Sequence, residues 1–257
     1  MKFSEIIRKE TELPQGISLD SHVSIPVYNA YISLGEASII IDPCDYEALC
    51  PVGHPWRRAG YVPPPPLVAQ LSEMDVTPED ITDVVLTHFH TDHSIGATVK
   101  TDDGRYVPAF PRAKYYLGSG DWNLPSLQEE LKSVPEVINS LGVLRGSGVL
   151  TLIDSPTDVV PGITILPTPG ESPGHQIIRV TSDGATLYCI GDLFHQSMDV
   201  ADPRIMSDWN DPEANLRSRT SFLAEASRDD ILVYAGHMSL GRIQRTPAGY
   251  EWRELRT

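Results

Sequence analysis

Apolar and polar positions along the chain form short runs that predict strands more often than long helices. Two apolar runs, at 25–34 and 37–42, are separated at Gly35 and predict a pair of neighbouring strands. The second run is continuous, which is typical of a strand buried on both faces. A short helix is predicted at 67–74 and a third strand at 82–87. This half of the chain therefore mixes strands with short helices.

The carboxyl-terminal half repeats this pattern around one longer helix. Its predicted elements are strands at 176–181, 185–190 and 231–235 and a helix at 211–227. The dipeptide Asp183-Gly184 between the first two strands predicts a tight hairpin. Within the helix, Leu216, Thr220 and Leu223 recur at helical spacing and predict its buried face. Together these elements indicate a sheet-rich fold.

The composition is that of a globular chain with enough apolar residues for a sizeable core. The sequence has 257 residues, 40% of them hydrophobic and 21% charged, and we expect a single domain over 1–257. No apolar stretch reaches the ~18 residues of a membrane span. The amino-terminal residues become charged before a signal-peptide core can form, so we expect a cytoplasmic protein. Three cysteines without a CxxC pair predict reduced thiols.

The charge balance is strongly acidic. The chain has 20 lysine and arginine residues against 35 aspartate and glutamate residues, for a formal net charge of -15. Such a charge repels phosphate backbones and anionic lipid surfaces. We therefore expect a small-molecule substrate and no nucleic-acid or membrane partner, and we leave open whether the chain forms a homodimer.

Residues that bind metal cluster where the third predicted strand ends. The sequence at 86–96 reads Leu-Thr-His-Phe-His-Thr-Asp-His-Ser-Ile-Gly, which contains His88, His90, Asp92 and His93. Alternate residues of an extended chain point to one side, so His88 and His90 can face one ion while Asp92 and His93 reach a neighbouring ion. The pattern predicts a split site for two metals rather than a solvated loop.

Further residues of metal-binding type follow later strands. Thr-Pro-Gly-Glu-Ser-Pro-Gly-His at 168–175 precedes one predicted strand, and Gly191-Asp192 and Gly236-His237 each close another. With HxHxDH at 88–93, this order resembles the metallo-β-lactamase superfamily of metal-dependent hydrolases over nearly the whole chain. The resemblance implies an α+β fold, a four-layer αββα sandwich with the metals at one edge of two packed sheets. The sequence departs from the family at Glu171, where a TPGHTPGH motif has a non-ligand histidine.

The resemblance also implies the roles of individual residues. The metal ligands divide between two ions that share one carboxylate: His88, His90 and His175 on one ion, Asp92, His93 and His237 on the other, and Asp192 bridging both. Asp42, at the end of a predicted strand, matches an acidic residue that orients a ligand histidine without binding metal. Two divalent ions held in this way provide a metal-bridging hydroxide, so the implied reaction is hydrolysis. Zinc is the first expectation, with iron, manganese and cobalt as alternatives.

Within the superfamily, the chain is most similar to the lactonase and methyl-parathion-hydrolase-like branch. The long insert before the histidine motif and Gly-Asp-Leu-Phe-His at 191–195 carry this similarity. His195 stands where acyl-homoserine lactonases usually have a tyrosine, and we predict that it acts in catalysis with Asp92 and Asp192. The insert at about 44–71 is predicted to border the active-site mouth. Three aromatic residues are predicted to line an apolar substrate rim there: Trp56, Tyr61 and Phe194.

These features predict a dinuclear hydrolase that acts on a small lactone or carboxylic ester. A thioester hydrolase similar to hydroxyacylglutathione hydrolases is one alternative, because Arg242 and Arg245 could hold an anionic thiol carrier; an organophosphate triester hydrolase is another. A redox protein on the same scaffold is disfavoured by His90, where diiron reductases have glutamate. An inactive binding scaffold is disfavoured because all seven ligand positions are filled.

Overall fold

The computed structural model describes residues 20, 25–54, 57, 62–228 and 230–255. The chain divides into two compact units. The amino-terminal unit is Asn29–Asp154, and the carboxyl-terminal unit runs from Ser155 and includes the described residues that precede Asn29. Each unit has its own main sheet. The assignment of the whole chain to a single domain stays a prediction.

The amino-terminal unit is built on a five-stranded sheet and a separate strand pair. Its strands are β1 (Ala30–Leu34), β2 (Ala37–Ile41), β3 (Asp83–Val85), β4 (Thr98–Lys100), β5 (Tyr106–Pro108), β6 (Lys114–Gly118) and β7 (Leu150–Ile153). The sheet has the order β1-β2-β3-β6-β7, and β4 pairs with β5. Only β1 and β2 are antiparallel within the sheet. The residues that follow β2, β3 and β6 therefore lie at the same edge, where parallel strands end.

Short helices cover this sheet. They are α1 (Tyr46–Leu49), α2 (Leu67–Ser72), α3 (Thr91–Ser94), α4 (Ser119–Trp122), α5 (Pro125–Ser133), α6 (Pro135–Val137) and α7 (Val143–Gly146). A π-helical turn joins α6 to α7, and 3₁₀ turns occupy Pro78–Asp80 and Ile95–Ala97. Leu127, Leu141 and Leu144 from the helical region share a buried cluster with Tyr115 and Leu117 of β6. The core of this unit thus forms between its sheet and its helices.

The carboxyl-terminal unit contains a seven-stranded sheet. Its strands are β8 (Thr157–Val160), β9 (Ile163–Pro167), β10 (Gln176–Ser182), β11 (Ala185–Cys189), β12 (Ile231–Ala235), β13 (Ser239–Thr246) and β14 (Gly249–Glu254). They follow one another in the sheet in sequence order, and only β11 and β12 are parallel neighbours. The crossover between these two strands contains α8 (Ser197–Ala201) and α9 (Pro212–Ala226). Phe222 and Leu223 of α9 pack with Val233 of β12 in the core.

The predicted elements are confirmed, with some shifted ends. Strand β12 has the predicted bounds, and α9 begins directly after Asp211, whose side chain accepts hydrogen bonds from the backbone of Glu213 and Ala214. The predicted hairpin has left-handed φ angles of 49° and 82° at Asp183 and Gly184. In contrast, β1 begins five residues later than predicted, at Ala30, and β3 has only three residues.

The buried face of α9 differs from the prediction. Thr220 is exposed, whereas the buried positions are Asn215, Arg219, Phe222, Leu223 and Ala226. The prediction was wrong because it was based on apolar residues, whereas two of the buried residues, Asn215 and Arg219, are polar. The buried Arg219 is central to the candidate site described below.

The cysteines agree with the sequence-based expectation. Cys44, Cys50 and Cys189 are buried and form no disulfide. Burial raises the pKa of the Cys44 thiol, so this side chain stays protonated at neutral pH. Across the described ranges, the helices are too short or too polar for any of them to cross a lipid bilayer.

Candidate metal centre

The histidine motif lies where the chain leaves β3 and enters α3. Strand β3 ends at Val85, residues 87–89 bend rather than continue the extended chain predicted for His88 and His90, and Asp92 and His93 lie on α3. Nε2 of His88 lies 2.8 Å from Nδ1 of His90. The rings of His88 and His93 have centroids 4.2 Å apart. The turn into α3 therefore brings three imidazoles together at the edge of the sheet.

Asp42 supports this motif from the end of β2. Its Oδ1 accepts a hydrogen bond from the backbone N–H of Thr87 at 2.6 Å, and its Oδ2 accepts one from the Thr87 hydroxyl at 2.7 Å. The same Oδ2 lies 3.0 Å from Nδ1 of His93. The Thr87 hydroxyl in turn lies 3.1 Å from Nδ1 of His88. Asp42 thus orients His93 directly and His88 through Thr87.

A second buried carboxylate holds the same loop, and the sequence analysis missed it. Asp121, on α4 after β6, accepts a hydrogen bond at 3.0 Å from the backbone N–H of Phe89, between the first two histidines. Its side chain is fully buried. A carboxylate three residues after an apolar strand is the signal that could have identified it, because Asp42 and His88 also follow strands of this parallel sheet.

His175 lies in the loop between β9 and β10 of the other unit. The ring is buried, and its Nδ1 lies 2.9 Å from the Thr168 hydroxyl. Gly170 in this loop has a φ of 139°, and a Cβ there would lie 2.2 Å from the backbone of Asn215 on α9. Only glycine allows this approach, which fixes the loop against the start of α9.

Asp192, His195 and His237 form a compact cluster at the ends of β11 and β12. Oδ1 of Asp192 lies 3.1 Å from Nε2 of His237, and Oδ2 lies 3.0 Å from Nε2 of His195. The two imidazole rings are stacked, with centroids 5.5 Å apart. Nδ1 of His237 contacts the carbonyl oxygen of Pro26 at 2.6 Å. The donor atoms of the three side chains all lie within 4.8 Å of one another.

The histidines share an arrangement that suits metal binding. Nδ1 contacts a protein group in four of them: His88, His93, His175 and His237. Such a contact fixes the ring and its tautomer, and Nε2 is the remaining ring nitrogen, as in metal-binding histidines. Imidazole and carboxylate donors together suit divalent ions such as zinc. The residues present therefore fit divalent metal ions.

A buried ion pair underlies the cluster around His195. Asp199 accepts hydrogen bonds from the backbone N–H groups of His195 at 3.0 Å and Gln196 at 3.3 Å. Arg219, fully buried on α9, has Nη2 3.9 Å from the Asp199 carboxylate and donates through Nε to the carbonyl oxygen of Leu193 at 2.7 Å. Burial raises the pKa of Asp199, and the Arg219 guanidinium opposes this shift. Neither residue could be assigned a role from the sequence, because the apolar periodicity that predicts buried positions does not reveal a buried charged pair.

Glu171, the departure from the family motif, is also buried. Its Oε1 accepts a hydrogen bond from the indole N–H of Trp209 at 2.6 Å, and Asn210 donates to its backbone carbonyl at 3.2 Å. The substitution of the expected histidine therefore creates a link between the His175 loop and the segment before α9. The sequence analysis noted the departure but did not predict this partner.

The predicted substrate rim receives little support from the described residues. Phe194 is fully buried, with its ring 5.1 Å below the Arg219 guanidinium and 6.4 Å from the ring of Phe222. Its prediction as a rim residue was wrong, because the side chain belongs to the core of the carboxyl-terminal unit. Trp56 and Tyr61 lie outside the described residues.

Comparison with known proteins identifies the relatives of this chain. It is 30% identical over 200 residues to metallo-beta-lactamase domain-containing protein 1 of Mus musculus, and 23% identical over 172 residues to an N-acyl homoserine lactonase of Bacillus cereus. These matches cover 77% and 66% of this chain and 61% of each relative. The chain thus spans less than two thirds of the length of these relatives.

A solved structure shows the same fold. The structure of AidC, a dizinc quorum-quenching lactonase in complex with a product, superimposes with a TM-score of 0.67 at 21% identity and covers 90% of this chain and 80% of that chain. This confirms the predicted α+β fold class. The sequence model of the metallo-beta-lactamase superfamily matches residues 52–237, which include the histidine motif, Asp192 and His237. The chain therefore belongs to the metallo-beta-lactamase superfamily.

Proposed function

We propose that the protein is a dinuclear metal-dependent hydrolase of small lactones or carboxylic esters. The observation that carries this proposal is the shared orientation of four histidines, each held through Nδ1 in the way that metal ligands are held. The lactonase activity named for relatives makes a cyclic or open carboxylic ester the first substrate class to consider. An acidic protein also suits a small uncharged substrate better than an anionic polymer.

We assign the ligands according to the order of the family motifs. One ion would be held by His88, His90 and His175, the other by Asp92, His93 and His237, and both by Asp192. Seven donors of this type are more than one tetrahedral ion requires, which supports two ions rather than one. Zinc is the first candidate, and iron, manganese and cobalt accept the same donors.

Different residues of the chain would have different roles around these ions. When bound, the pair of ions acidifies water as a nucleophile and polarises the substrate carbonyl. Asp192 contributes one carboxylate oxygen on the side of His237 and the other on the side of His195. His195, whose Nε2 lies beside Asp192, would donate a proton to the departing oxygen of the ester or lactone. Asp199, through the backbone of His195, keeps that ring in place.

The first experiment combines metal analysis with a panel of substrates. Elemental analysis of the purified protein should find about two divalent ions per chain, because seven donors exceed the needs of one tetrahedral ion. His175→Ala should lose metal. The matched control His54→Ala, outside the proposed ligand set, should keep it. One ion or none in active protein would contradict the dinuclear site.

The substrate panel consists of lactones, carboxylic esters, thioesters and phosphotriesters assayed with the metal-loaded protein. We expect the highest kcat/KM on lactones or carboxylic esters. A preference for thioesters, with loss on removal of Arg242 and Arg245, would favour the thioester alternative, and a preference for phosphotriesters would favour the organophosphate alternative. The protein is expected in the cytoplasm, and a preferred substrate that occurs in the cytoplasm would support this expectation.

A further inference from the structure

An exposed aromatic ring in the carboxyl-terminal unit is held in place by a buried carboxyl group. Trp209 is 47% exposed, yet its indole N–H donates a 2.6 Å hydrogen bond to Glu171, which is only 1% exposed. The ring therefore has a fixed orientation although much of its surface is accessible to solvent.

The backbone around Trp209 is held on both sides. Ser207 donates its N–H to the Asn210 side chain at 2.8 Å, and Asn210 donates to the Glu171 carbonyl at 3.2 Å. The N–H of Asp211 donates to the carbonyl oxygen of Gly170 at 2.9 Å. The segment that carries the indole is thus fastened to the loop that carries His175.

The indole lies next to the proposed reacting groups. The rings of Trp209 and His195 meet edge to face, with centroids 6.4 Å apart. His195 in turn contacts Asp192 at 3.0 Å. A substrate whose leaving oxygen is bonded to His195 would have its neighbouring atoms within reach of the indole surface.

We propose that Trp209 determines substrate specificity by binding the aliphatic chain of the ester or lactone, and that Glu171 is its positioning residue. This inference rests on the proposed function. It adds a substrate class: carboxylic esters and lactones with an unbranched apolar substituent of several carbons. A rigid aromatic face buries such a chain without ordering a flexible side chain of its own, so little of the binding free energy is lost to entropy.

The test measures kcat and KM for a series of ethyl esters from acetate to hexanoate, which have an alkoxide leaving group, with the metal-loaded protein. Full burial of one methylene group strengthens binding about fourfold, and burial of one side of it by the indole should strengthen binding about twofold. Four added methylene groups should therefore raise kcat/KM of the wild type by roughly tenfold or more. Trp209→Ala should abolish most of this rise, chiefly through KM, so that the ratio of kcat/KM on hexanoate to that on acetate falls towards one. Trp209→Phe should retain part of it.

Two variants of Glu171 test whether this residue acts by accepting the hydrogen bond that positions the indole or only by filling space. Glu171→Gln keeps an oxygen acceptor for the indole N–H and should preserve the dependence on chain length, whereas Glu171→Leu should weaken it. Met74→Ala removes an apolar side chain of similar exposure from the other unit and serves as the matched control. Circular dichroism establishes that each variant is folded.

The outcomes distinguish this inference from the proposed function. If the wild type hydrolyses neither esters nor lactones, the proposed function fails and the inference fails with it. If the wild type is active and Trp209→Ala lowers kcat/KM equally on every ester, or leaves the dependence on chain length unchanged, the inference alone is overturned. If Trp209→Ala does not fold, the same criterion applies to Trp209→Phe, for which an unchanged ratio of hexanoate to acetate overturns it.

Discussion

Replacement of Arg219 by methionine should destabilise the protein more than any ordinary surface substitution. The guanidinium is fully buried and donates to three backbone carbonyl groups, those of Leu193, Pro203 and Ile205. It also faces the buried carboxylate of Asp199. Methionine fills a similar volume but donates no hydrogen bond, so the substitution leaves these acceptors without their charged donor.

The magnitude follows from the burial of both charges. Removal of one partner of a buried ion pair costs about 3–5 kcal/mol, because the remaining charge is left uncompensated. We therefore expect the free energy of unfolding of Arg219→Met to fall by about 3–5 kcal/mol at pH 8. The double variant Arg219→Met/Asp199→Asn lacks that uncompensated charge and should recover about 1 kcal/mol or more.

The loss of unfolding free energy caused by Arg219→Met, called the deficit below, should depend on pH in a defined direction. Burial already raises the pKa of Asp199, and the Arg219 guanidinium opposes this shift, so its removal raises the pKa further. A carboxyl group with a raised pKa binds more protons in the folded than in the unfolded state, so stability falls as pH rises from the ordinary pKa towards the folded one. The deficit of Arg219→Met should thus be larger at pH 8 than at pH 5. His195, the other titratable group that faces Asp199, is retained in the double variant, which isolates the carboxylate.

The assay is urea unfolding at both pH values in chelator-treated protein, so that metal binding does not contribute to stability. Arg217→Met is the matched control on the same helix, where the side chain is 70% exposed. This control should change the free energy of unfolding by less than about 0.5 kcal/mol. A loss below about 1 kcal/mol for Arg219→Met, or a deficit that shrinks as pH rises, would refute the reasoning.

Three further predictions concern the site itself. Asp192→Ala removes the carboxylate that contacts both His195 and His237, so kcat should fall by roughly 10³-fold or more while the protein still folds. Near-normal turnover with two metals bound would contradict the bridging role of Asp192. His195→Ala should lower kcat by ~10²-fold for alkoxide leaving groups and much less for nitrophenolate, which needs no proton, whereas an equal effect on both would leave His195 without an acid role. Asp42→Ala should weaken metal binding about 10- to 100-fold in a competitive chelator titration, and unchanged affinity would show that the contact with His93 has no influence on the metal.

The elements that could be predicted from the sequence are those whose local signals agree with their tertiary environment. Strand β12 is apolar and buried, and the Asp183-Gly184 turn adopts the left-handed angles that its residues favour. Helix α9 has an aspartate cap and a proline in its first turn. In each case a short segment contains the information needed for its own conformation.

Other features depend on residues that are distant in the sequence. The buried face of α9 was mispredicted because Arg219 satisfies carbonyl groups and a carboxylate in the crossover, and no period along the helix reveals those partners. Phe194 was assigned to a rim by its position next to the motif, but the cluster around Phe222 buries it. The partner of Glu171, Trp209, is 38 residues away. Such contacts depend on the assembled fold, which the pattern of residue types does not specify.

The crossover between β11 and β12 has a consequence for the redesign of this protein. The carbonyl groups that Arg219 binds, and Asp199, all belong to this one stretch of chain, so its irregular backbone is braced mainly from within. An exchange of this segment between relatives must also preserve the sheet residues that Phe222 and Leu223 pack against, such as Val233. One of its attachments to the rest of the unit is the contact of α9 with residue 170, where any side chain would collide with the backbone of Asn215. A graft that exchanges the crossover should therefore keep glycine at 170, and recipients with a larger residue there should reject it.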